Sequence, residues 1–261
     1  MRTSCMLKKW TGIAMLAVGL CVTGCKPSPE QVAERTKLLF EAIKSNDVEA
    51  AKSYIKAGAN VNAKKDDEGT TPLIYAIQKD RDEMVDLLIK SKADVNAKDS
   101  KREWPPIVWV LCSKDWEKRT RMLDMLIKAN ADLNDGLSFV VEGRRIDDIK
   151  FLTKSGANPN GKDSNGKTPL MYTYDMNIAN ILIDLGADIN AKDNDGNTAL
   201  MRAAESTMSG AEKFVAFLIQ AGADVNVKNN DGMTALTIAQ NSYYSYKNLV
   251  IATLRSAGAT E

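Results

Sequence analysis

The amino-acid sequence predicts an all-α protein, an α-solenoid of about seven tandem units. Two short motifs recur through the 261 residues, and the apolar residues between them keep helical spacing. A single helix pair buries only one face, so such units must stabilise one another by stacking. The first motif reads Gly-Ala-Asp/Asn-x-Asn, with variants in its first residue, and occurs at 58–62, 92–96, 130–134, 156–160, 186–190 and 222–226, with a last Gly258-Ala259.

The second motif, Gly-x-Thr-Pro/Ala-Leu, predicts where the first helix of a unit begins. A Thr at the N-cap followed by Pro at the first helical position is a favoured helix start, because Pro lacks the N–H that the first turn leaves unpaired. The glycines of the first motif follow apolar helical stretches, which predicts left-handed helix ends. Asn-Asp-Gly at 194–196 and 230–232 predicts tight hairpin turns. The motif occurs at 69–73, 166–170, 196–200 and 232–236.

In these two motifs the chain resembles the ankyrin-repeat family over roughly residues 35–260. The resemblance implies helix-turn-helix units joined by β-hairpin loops, and a domain spanning residues 36–261. The His that follows Thr-Pro-Leu in that family is replaced by Ile74, Met171, Met201 and Thr237. Because that His usually supplies a hydrogen bond to the hairpin, its absence predicts looser copies.

Three copies depart from the pattern in length. The copy near 136–158 has lost Thr-Pro-Leu, the copy containing Trp104 carries extra residues around 114–119, and the copy from Thr168 is short by three or four. These irregularities predict a kinked solenoid.

Residues 1–24 read as a bacterial signal peptide. Arg2, Lys8 and Lys9 precede an apolar run, Trp10–Val22, that is too short to cross a bilayer. The run ends in Val-Thr-Gly-Cys25, which resembles the lipobox of bacterial lipoproteins. The resemblance implies that Cys25 is lipidated and that 25–35 form a short tether. Lys26, where inner-membrane lipoproteins carry Asp, favours an outer-membrane anchor facing the periplasm.

Composition argues against several functional classes. Of 35 basic residues, three lie in the leader, which leaves 32 against 34 acidic residues and no clustered positive charge for nucleic acid. The chain has no histidine, which excludes Ser-His-Asp triads and His-bearing zinc sites. Cys112 is the one cysteine left after lipidation, and we expect it to be half-buried.

Three further patterns could carry chemistry, and each has a simpler interpretation. Gly161–Thr168 matches the phosphate-loop pattern G-x-x-x-x-G-K-[ST], but Asn158-Pro159-Asn160 precedes it and a hairpin is predicted there. Asp193–Gly196 resembles a calcium loop but lacks acidic residues at the first and last ligand positions. The carboxylates at 66–68 and 147–148 fit solvated surface. We therefore expect no enzyme, cofactor, metal or small-molecule substrate.

One variable position per repeat predicts a protein-binding surface. In ankyrin proteins the concave face of the first helices and the hairpin tips bind partners, and aromatic and Arg side chains are enriched in binding hot spots. Aligned copies place at this position Glu41, Tyr75, Trp109, Phe139, Tyr172, Arg202 and Ile238. The alternative is that these rings complete the packing between helices. Weaker candidates are Trp104, near a hairpin tip, and Tyr243, Tyr244 and Tyr246, which could also cover the end of the stack.

The sequence thus predicts a membrane-anchored scaffold of the bacterial envelope that binds a periplasmic protein partner on its concave face. A narrower alternative is an immunity protein that neutralises a periplasmic toxin. An alternative of another class is a nucleotide-binding or catalytic protein that uses Lys167.

Overall fold

The computed structural model describes residues 27–65, 67–243 and 247–261. The predicted signal peptide, residues 1–24, and Cys25 lie outside the described residues, as do Asp66, Tyr244 and Tyr246. The chain divides into two compact units, Met1–Arg102 and Glu103–Glu261, which we call the N-terminal and C-terminal units and describe separately.

The N-terminal unit contains two helix pairs. Helix α1 packs against α2 and α3, and α4 packs against α3 and α2. Leu39, Ile43, Leu73, Met84 and Leu88 form its fully buried centre. The helices are α1 (Pro29–Ser45), α2 (Val48–Lys56), α3 (Pro72–Gln78) and α4 (Asp82–Lys90).

The C-terminal unit contains five further pairs, so the described residues hold seven, as predicted. The first element of each pair contacts the first element of the next, from α5 through to α12. We call these first elements the inner helices and their partners the outer helices. The pairs are α5 (Pro106–Leu111) with α6 (Trp116–Lys128), α7 (Asn134–Glu142) with α8 (Ile146–Lys154), the 3₁₀ helix (Pro169–Tyr172) with α9 (Met176–Asp184), α10 (Ala199–Glu205) with α11 (Ala211–Gln220), and α12 (Ala235–Asn241) with α13 (Lys247–Ser256).

The helix starts follow the predicted Thr signals. The hydroxyls of Thr71, Thr198 and Thr234 accept hydrogen bonds from the backbone N–H three residues later, and Pro72 occupies the first turn of α3. Thr237, which stands where the family has His, accepts a bond of 2.8 Å from the N–H of Thr234 and completes a capping box. The predicted left-handed conformation is present at each glycine of the first motif, Gly58, Gly156, Gly186, Gly222 and Gly258.

The first helix begins earlier than the sequence predicted. Helix α1 starts at Pro29, so residues 29–35, which the sequence assigned to the tether, are helical. Ser28 caps the helix, its hydroxyl accepting from the N–H of Gln31 while the Gln31 side chain accepts from the N–H of Ser28. The two bonds form a capping box, for which Ser-x-x-Gln is a typical sequence.

The last Asn of the first motif ties successive copies together. The side-chain oxygen of Asn190 accepts a 2.8 Å bond from the N–H of Asp224, and its amide donates to the carbonyl of Gly222. Asn160 makes the same two bonds to Asp188 and Gly186. A polar side chain recurs at this position because it satisfies backbone groups of the next repeat that would otherwise lack a partner.

The hairpin loops are closed by backbone hydrogen bonds within the loop rather than by regular strands, and the described ranges contain no β-strand. Such bonds join Asp163 to Lys167, Asp193 to Asn197 and Asn229 to Met233. A side-chain oxygen of Asp163, Asp193 or Asn229 also accepts two backbone N–H bonds within its own loop. These side chains give the three loops hydrogen bonds that do not depend on the family's His, and the looser packing of some copies stays a prediction.

The irregular copies have simple structural causes. No hairpin precedes α7, because the chain passes from Leu133 directly into the helix at Asn134. The extra residues around 114–119 lie in the turn and at the start of α6, which is 13 residues long where α8 has 9. The short copy from Thr168 has a 3₁₀ helix of 4 residues in place of an inner α-helix.

Candidate functional site

The predicted variable position is the partly exposed position of otherwise buried inner helices. In α5, Trp109 is half-buried, whereas Val108 and Val110 on either side are buried. The same contrast holds for Phe139, Tyr172 and Arg202, whereas Ile238 in α12 has the half-buried Thr237 on one side and the buried Ala239 on the other. We call this set the inner column: Trp109, Phe139, Tyr172, Arg202 and Ile238. Because each inner helix contacts the inner helix of the next repeat, the column residues occupy equivalent positions on adjacent elements.

Three aromatic rings meet at one end of the inner column. Trp104 makes edge-to-face contacts with Trp109 and with Phe139, at centroid distances of 5.4 and 5.5 Å. All three side chains are half-buried. Trp104, the weaker candidate near a hairpin tip, therefore forms one aromatic cluster with two members of the inner column. Such T-shaped contacts hold the rings in place while leaving part of each exposed.

Tyr172 is bound to its own hairpin. Its hydroxyl donates a hydrogen bond to the carboxylate of Asp163, and the ammonium of Lys167 lies 5.6 Å from the ring centroid. Partial burial and the bond to Asp163 raise the pKa of Tyr172. The ring is consequently oriented by Asp163 before any partner arrives.

Arg202 is held in the same way by the next hairpin. Its guanidinium donates to one carboxylate oxygen of Asp193 at 2.5 and 3.2 Å, and Asp195 and Glu205 lie 3.7 and 3.8 Å away. The Asp193 side chain is buried, with 1% exposed. Burial opposes the charge of Arg202, but Asp193 outweighs it, so the pKa of Arg202 is raised.

In the N-terminal unit, the residue that aligns with the inner column on α3 is Tyr75, and it is buried. Tyr75 is 9% exposed, packs edge-on against Phe40 at 5.8 Å and is covered by the ammonium of Lys65 at 4.2 Å. The alternative of packing thus describes Tyr75 better than partner binding, because little of the ring can be reached. Glu41 is exposed.

The phosphate-loop pattern forms a closed turn. The N–H groups of Asn165 and Lys167 donate to the carboxylate of Asp163 at 2.9 and 2.8 Å, so they are not directed at a phosphate. Thr168 precedes a 3₁₀ helix of 4 residues, too short to provide the aligned N-terminal amides of a phosphate loop. Nucleotide binding through Lys167 is therefore disfavoured by geometry.

The calcium-loop pattern and the paired carboxylates contain acidic side chains that bind groups of the protein itself. Asp193 accepts from the N–H groups of Asp195 and Asn197, which is turn chemistry. Asp148 was expected on the solvated surface, but it is only 16% exposed and lies 2.5 Å from Arg145 and 3.3 Å from Arg119. Cys112 is exposed, not half-buried as predicted. In the described part of the chain, no group of three His, Cys, Asp or Glu side chains could hold a metal ion.

One feature of the C-terminal unit was missed in the sequence. A groove of about 580 Å³ lies between the last two hairpins and the inner helices α10 and α12. Its lining includes the carboxylates of Asp195, Glu205 and Asp231, together with Arg202. The signal was available, since Asp195 and Asp231 occupy the same place in the two Asn-Asp-Gly turns, but each was interpreted only as a turn former. The groove also includes Ile238 and the fully exposed Tyr243.

No helix in the described ranges is both long and apolar enough to cross a membrane. No curated protein matches the sequence. Among solved structures, the ankyrin repeat domain of Bcl-3, described as a unique member of the IkappaB protein family, is 22% identical with a TM-score of 0.58, over 84% of this chain and 97% of that one. The human ASB11 ankyrin repeat domain is 20% identical with a TM-score of 0.55, over 90% of this chain and all of that one. These likenesses show the fold.

A family model of ankyrin repeats, described as having 3 copies, matches residues 15–99, 137–229 and 174–254, together more than half of the chain. The first match begins inside the predicted leader, although the first described helix starts only at Pro29. The recurrent hairpin loops, the Asn ties between copies and the seven helix pairs all agree with this match. The chain belongs to the ankyrin-repeat family.

Proposed function

We propose that this protein is a scaffold that binds a partner protein on the inner column of its C-terminal unit. The observation that carries the proposal is a run of half-buried side chains on inner helices whose neighbouring positions are mostly buried: Trp109, Phe139, Tyr172, Arg202 and Ile238. Aromatic and Arg side chains fixed in this way lose little conformational entropy on binding, which is typical of interface hot spots. Ankyrin repeats typically serve as protein-interaction scaffolds.

We also propose that Cys25 carries lipid and anchors the scaffold in the bacterial envelope, facing the periplasm. The support is the sequence Val22–Cys25 after a positively charged, apolar leader. The early start of α1 sharpens this idea: from Cys25 to Pro29 are four Cα steps, at most ~15 Å. A lipidated Cys25 would hold the first helix close to the bilayer surface.

The binding proposal can be tested by site-specific photo-crosslinking in intact cells. A photoreactive phenylalanine analogue at Trp109 or Ile238 should give adducts with a partner protein. The matched controls are Phe151 and Leu249 on the outer helices α8 and α13, which are 38% and 52% exposed. Equal adducts from the outer and inner positions would refute binding on the inner column.

The anchor has its own test. Metabolic labelling with a palmitate analogue should mark the wild-type chain and fail with Cys25→Ser, whereas Cys112→Ser should keep the label. Labelling that persists in Cys25→Ser would reject the assignment. No feature of the described residues favours the narrower immunity role, so the proposal stops at a protein partner.

A further inference from the structure

We infer that the partner presents an extended segment with an apolar side chain for the aromatic cluster and Lys or Arg side chains, about five or six residues away, for the groove beside Arg202. This inference rests on the proposed binding function and specifies the chemistry of the partner. It comes from two surfaces of the C-terminal unit that differ in charge.

The aromatic cluster sets the apolar end. Trp104 contacts both Trp109 and Phe139 edge to face, and all three are half-buried, so their exposed parts form a surface of ring edges and faces. Such a surface gains most from burying an aromatic or aliphatic side chain, because apolar area leaves water on both sides.

The groove sets the cationic end through charge complementarity. Asp195 and Glu205 are 76% and 64% exposed, and Asp231 is also exposed. The one cation among the groove residues, Arg202, is already bound by the buried Asp193. Asp195 and Glu205 share this one guanidinium with Asp193, at 3.7 and 3.8 Å, so the negative charge of the lining exceeds its positive charge. This excess attracts a cationic segment and repels an acidic one.

The apolar residues of the groove suit Lys and Arg in particular. Ile238 is half-buried and Tyr243 is exposed on the same groove. The aliphatic stem of a Lys or Arg can pack on Ile238 while its charge reaches the carboxylates, and the ring of Tyr243 can accept a cation on its face. A small inorganic cation would use only the carboxylates.

The spacing follows from the order of the inner helices. Helix α7, which carries Phe139, contacts the 3₁₀ helix, and the 3₁₀ helix contacts α10, which carries Arg202. Two helix-to-helix steps of about 8–10 Å separate the two surfaces by roughly 16–20 Å. An extended chain covers that distance in about five or six residues at ~3.3 Å each.

The test uses defined peptides and the full chain in detergent. Each fluorescein-labelled peptide carries one Trp, a Ser-Gly spacer and two Lys. Companion peptides replace both Lys residues by Glu, or the Trp by Ala. The spacer is about two, five or ten residues long, so that the middle length matches the distance between the two surfaces. Fluorescence anisotropy at low and physiological salt gives affinities. The Lys peptide with the middle spacer should bind at least tenfold more tightly than its Glu companion. The ratio of the two affinities should be smaller at physiological salt than at low salt, because salt screens the charges.

Variants assign the effect to the groove. Glu205→Gln with Asp231→Asn should weaken binding of the Lys peptide about fivefold to tenfold, because two exposed charge pairs are lost. The matched control, Glu117→Gln with Asp124→Asn, removes the same charges from the outer helix α6 and should change binding less than twofold. Equal affinity for Lys and Glu peptides, or equal losses in both double variants, would overturn the cationic assignment.

Failure of this inference differs from failure of the proposed function. If Trp109→Leu weakens binding of Trp peptides whatever their charge, the inner column binds partners and only the charge assignment falls. If Trp109→Leu leaves every peptide affinity and the crosslinking pattern unchanged, the proposed docking surface itself is wrong.

Discussion

Replacing Gly196 by Ala should destabilise the protein more than the same change at Gly232, although both residues have the same place in their hairpins. Both are left-handed, with φ of 78° and 75°. They differ in what a methyl group would meet. At Gly196 it would lie 2.6 Å from the side-chain oxygen of Asn230 and 2.8 Å from the backbone nitrogen of Asn230, whereas at Gly232 it would meet nothing within 4 Å.

The magnitudes follow from these contacts. The left-handed conformation costs an L-residue about 1–2 kcal/mol at either site. At Gly196 the methyl group must also push away Asn230, whose backbone N–H donates to the carbonyl of Asp195 at 3.0 Å and whose amide donates to the carbonyl of Asn194 at 2.9 Å. Two such bonds contribute about 0.5–1.5 kcal/mol each. We expect a loss of about 2–5 kcal/mol for Gly196→Ala and about 1–2 kcal/mol for Gly232→Ala.

Urea unfolding followed by far-UV circular dichroism gives both free energies, and amide hydrogen exchange reports the hairpins directly. In Gly196→Ala, the amide of Asn230 should lose protection selectively. Equal losses in the two variants, with unchanged protection of Asn230, would show that adjacent hairpins do not stabilise one another and would refute the reasoning.

Three further predictions concern side chains that hold the C-terminal unit together. Asn190→Ala should lower the free energy of unfolding by about 1–3 kcal/mol, because it leaves the N–H of Asp224 without its acceptor. The control Asn180→Ala, on the outer helix α9, should lower it by less than about 1 kcal/mol, and urea unfolding of both variants measures the difference. Asp148→Asn should destabilise more than Asp147→Asn by about 1–3 kcal/mol in the same assay, because Arg119 and Arg145 both face Asp148 while Asp147 is exposed, and equal losses would contradict it. The raised pKa of Tyr172 means that the folded protein keeps the phenolic proton at pH values where the unfolded chain has released it, so unfolding free energy should fall as pH rises above about 10. Tyr172→Phe should lose this part of the pH dependence, and its free energy of unfolding below pH ~9 should drop by about 1 kcal/mol because the bond to Asp163 is lost. Identical alkaline profiles for the two proteins would exclude titration of Tyr172 as the cause.

Features set by short stretches of sequence were predictable. Thr198 and Thr234 cap helices through bonds to residues three positions away, and Gly186 and Gly222 end helices in the left-handed conformation. These outcomes depend on the local backbone, which the motif itself specifies. The loss of a hairpin before α7 was also visible as a step of only 26 residues between Asn130 and Gly156.

Burial of individual side chains was harder to predict, because it depends on residues distant in sequence. Tyr75 is buried since Phe40 packs on its edge and Lys65 covers its face, and neither contact follows from the position of Tyr75 in its repeat. Asp148 looked like one of two equivalent acids at a helix start, yet two arginines contact it, one of them from α6. Phe139 and Trp109 were assigned to one face, but their link through Trp104 required knowledge of the loop before α5.

The separation of recurrent from variable positions explains why scaffold and binding chemistry can coexist in one repeat. Recurrent residues such as Asn160 and Asn190 form hydrogen bonds with the backbone of the next repeat, so we expect changes in them to lower stability before they affect binding. The members of the inner column, by contrast, range from Trp109 to Arg202 and Ile238 without any common size or polarity, while most of the positions beside them are buried. A residue that the stack does not require is free to match an occupant. We therefore expect the change from aromatic rings at Trp109 and Phe139 to exposed carboxylates beside Arg202 to reflect the chemistry of the proposed partner more than the packing of the repeats.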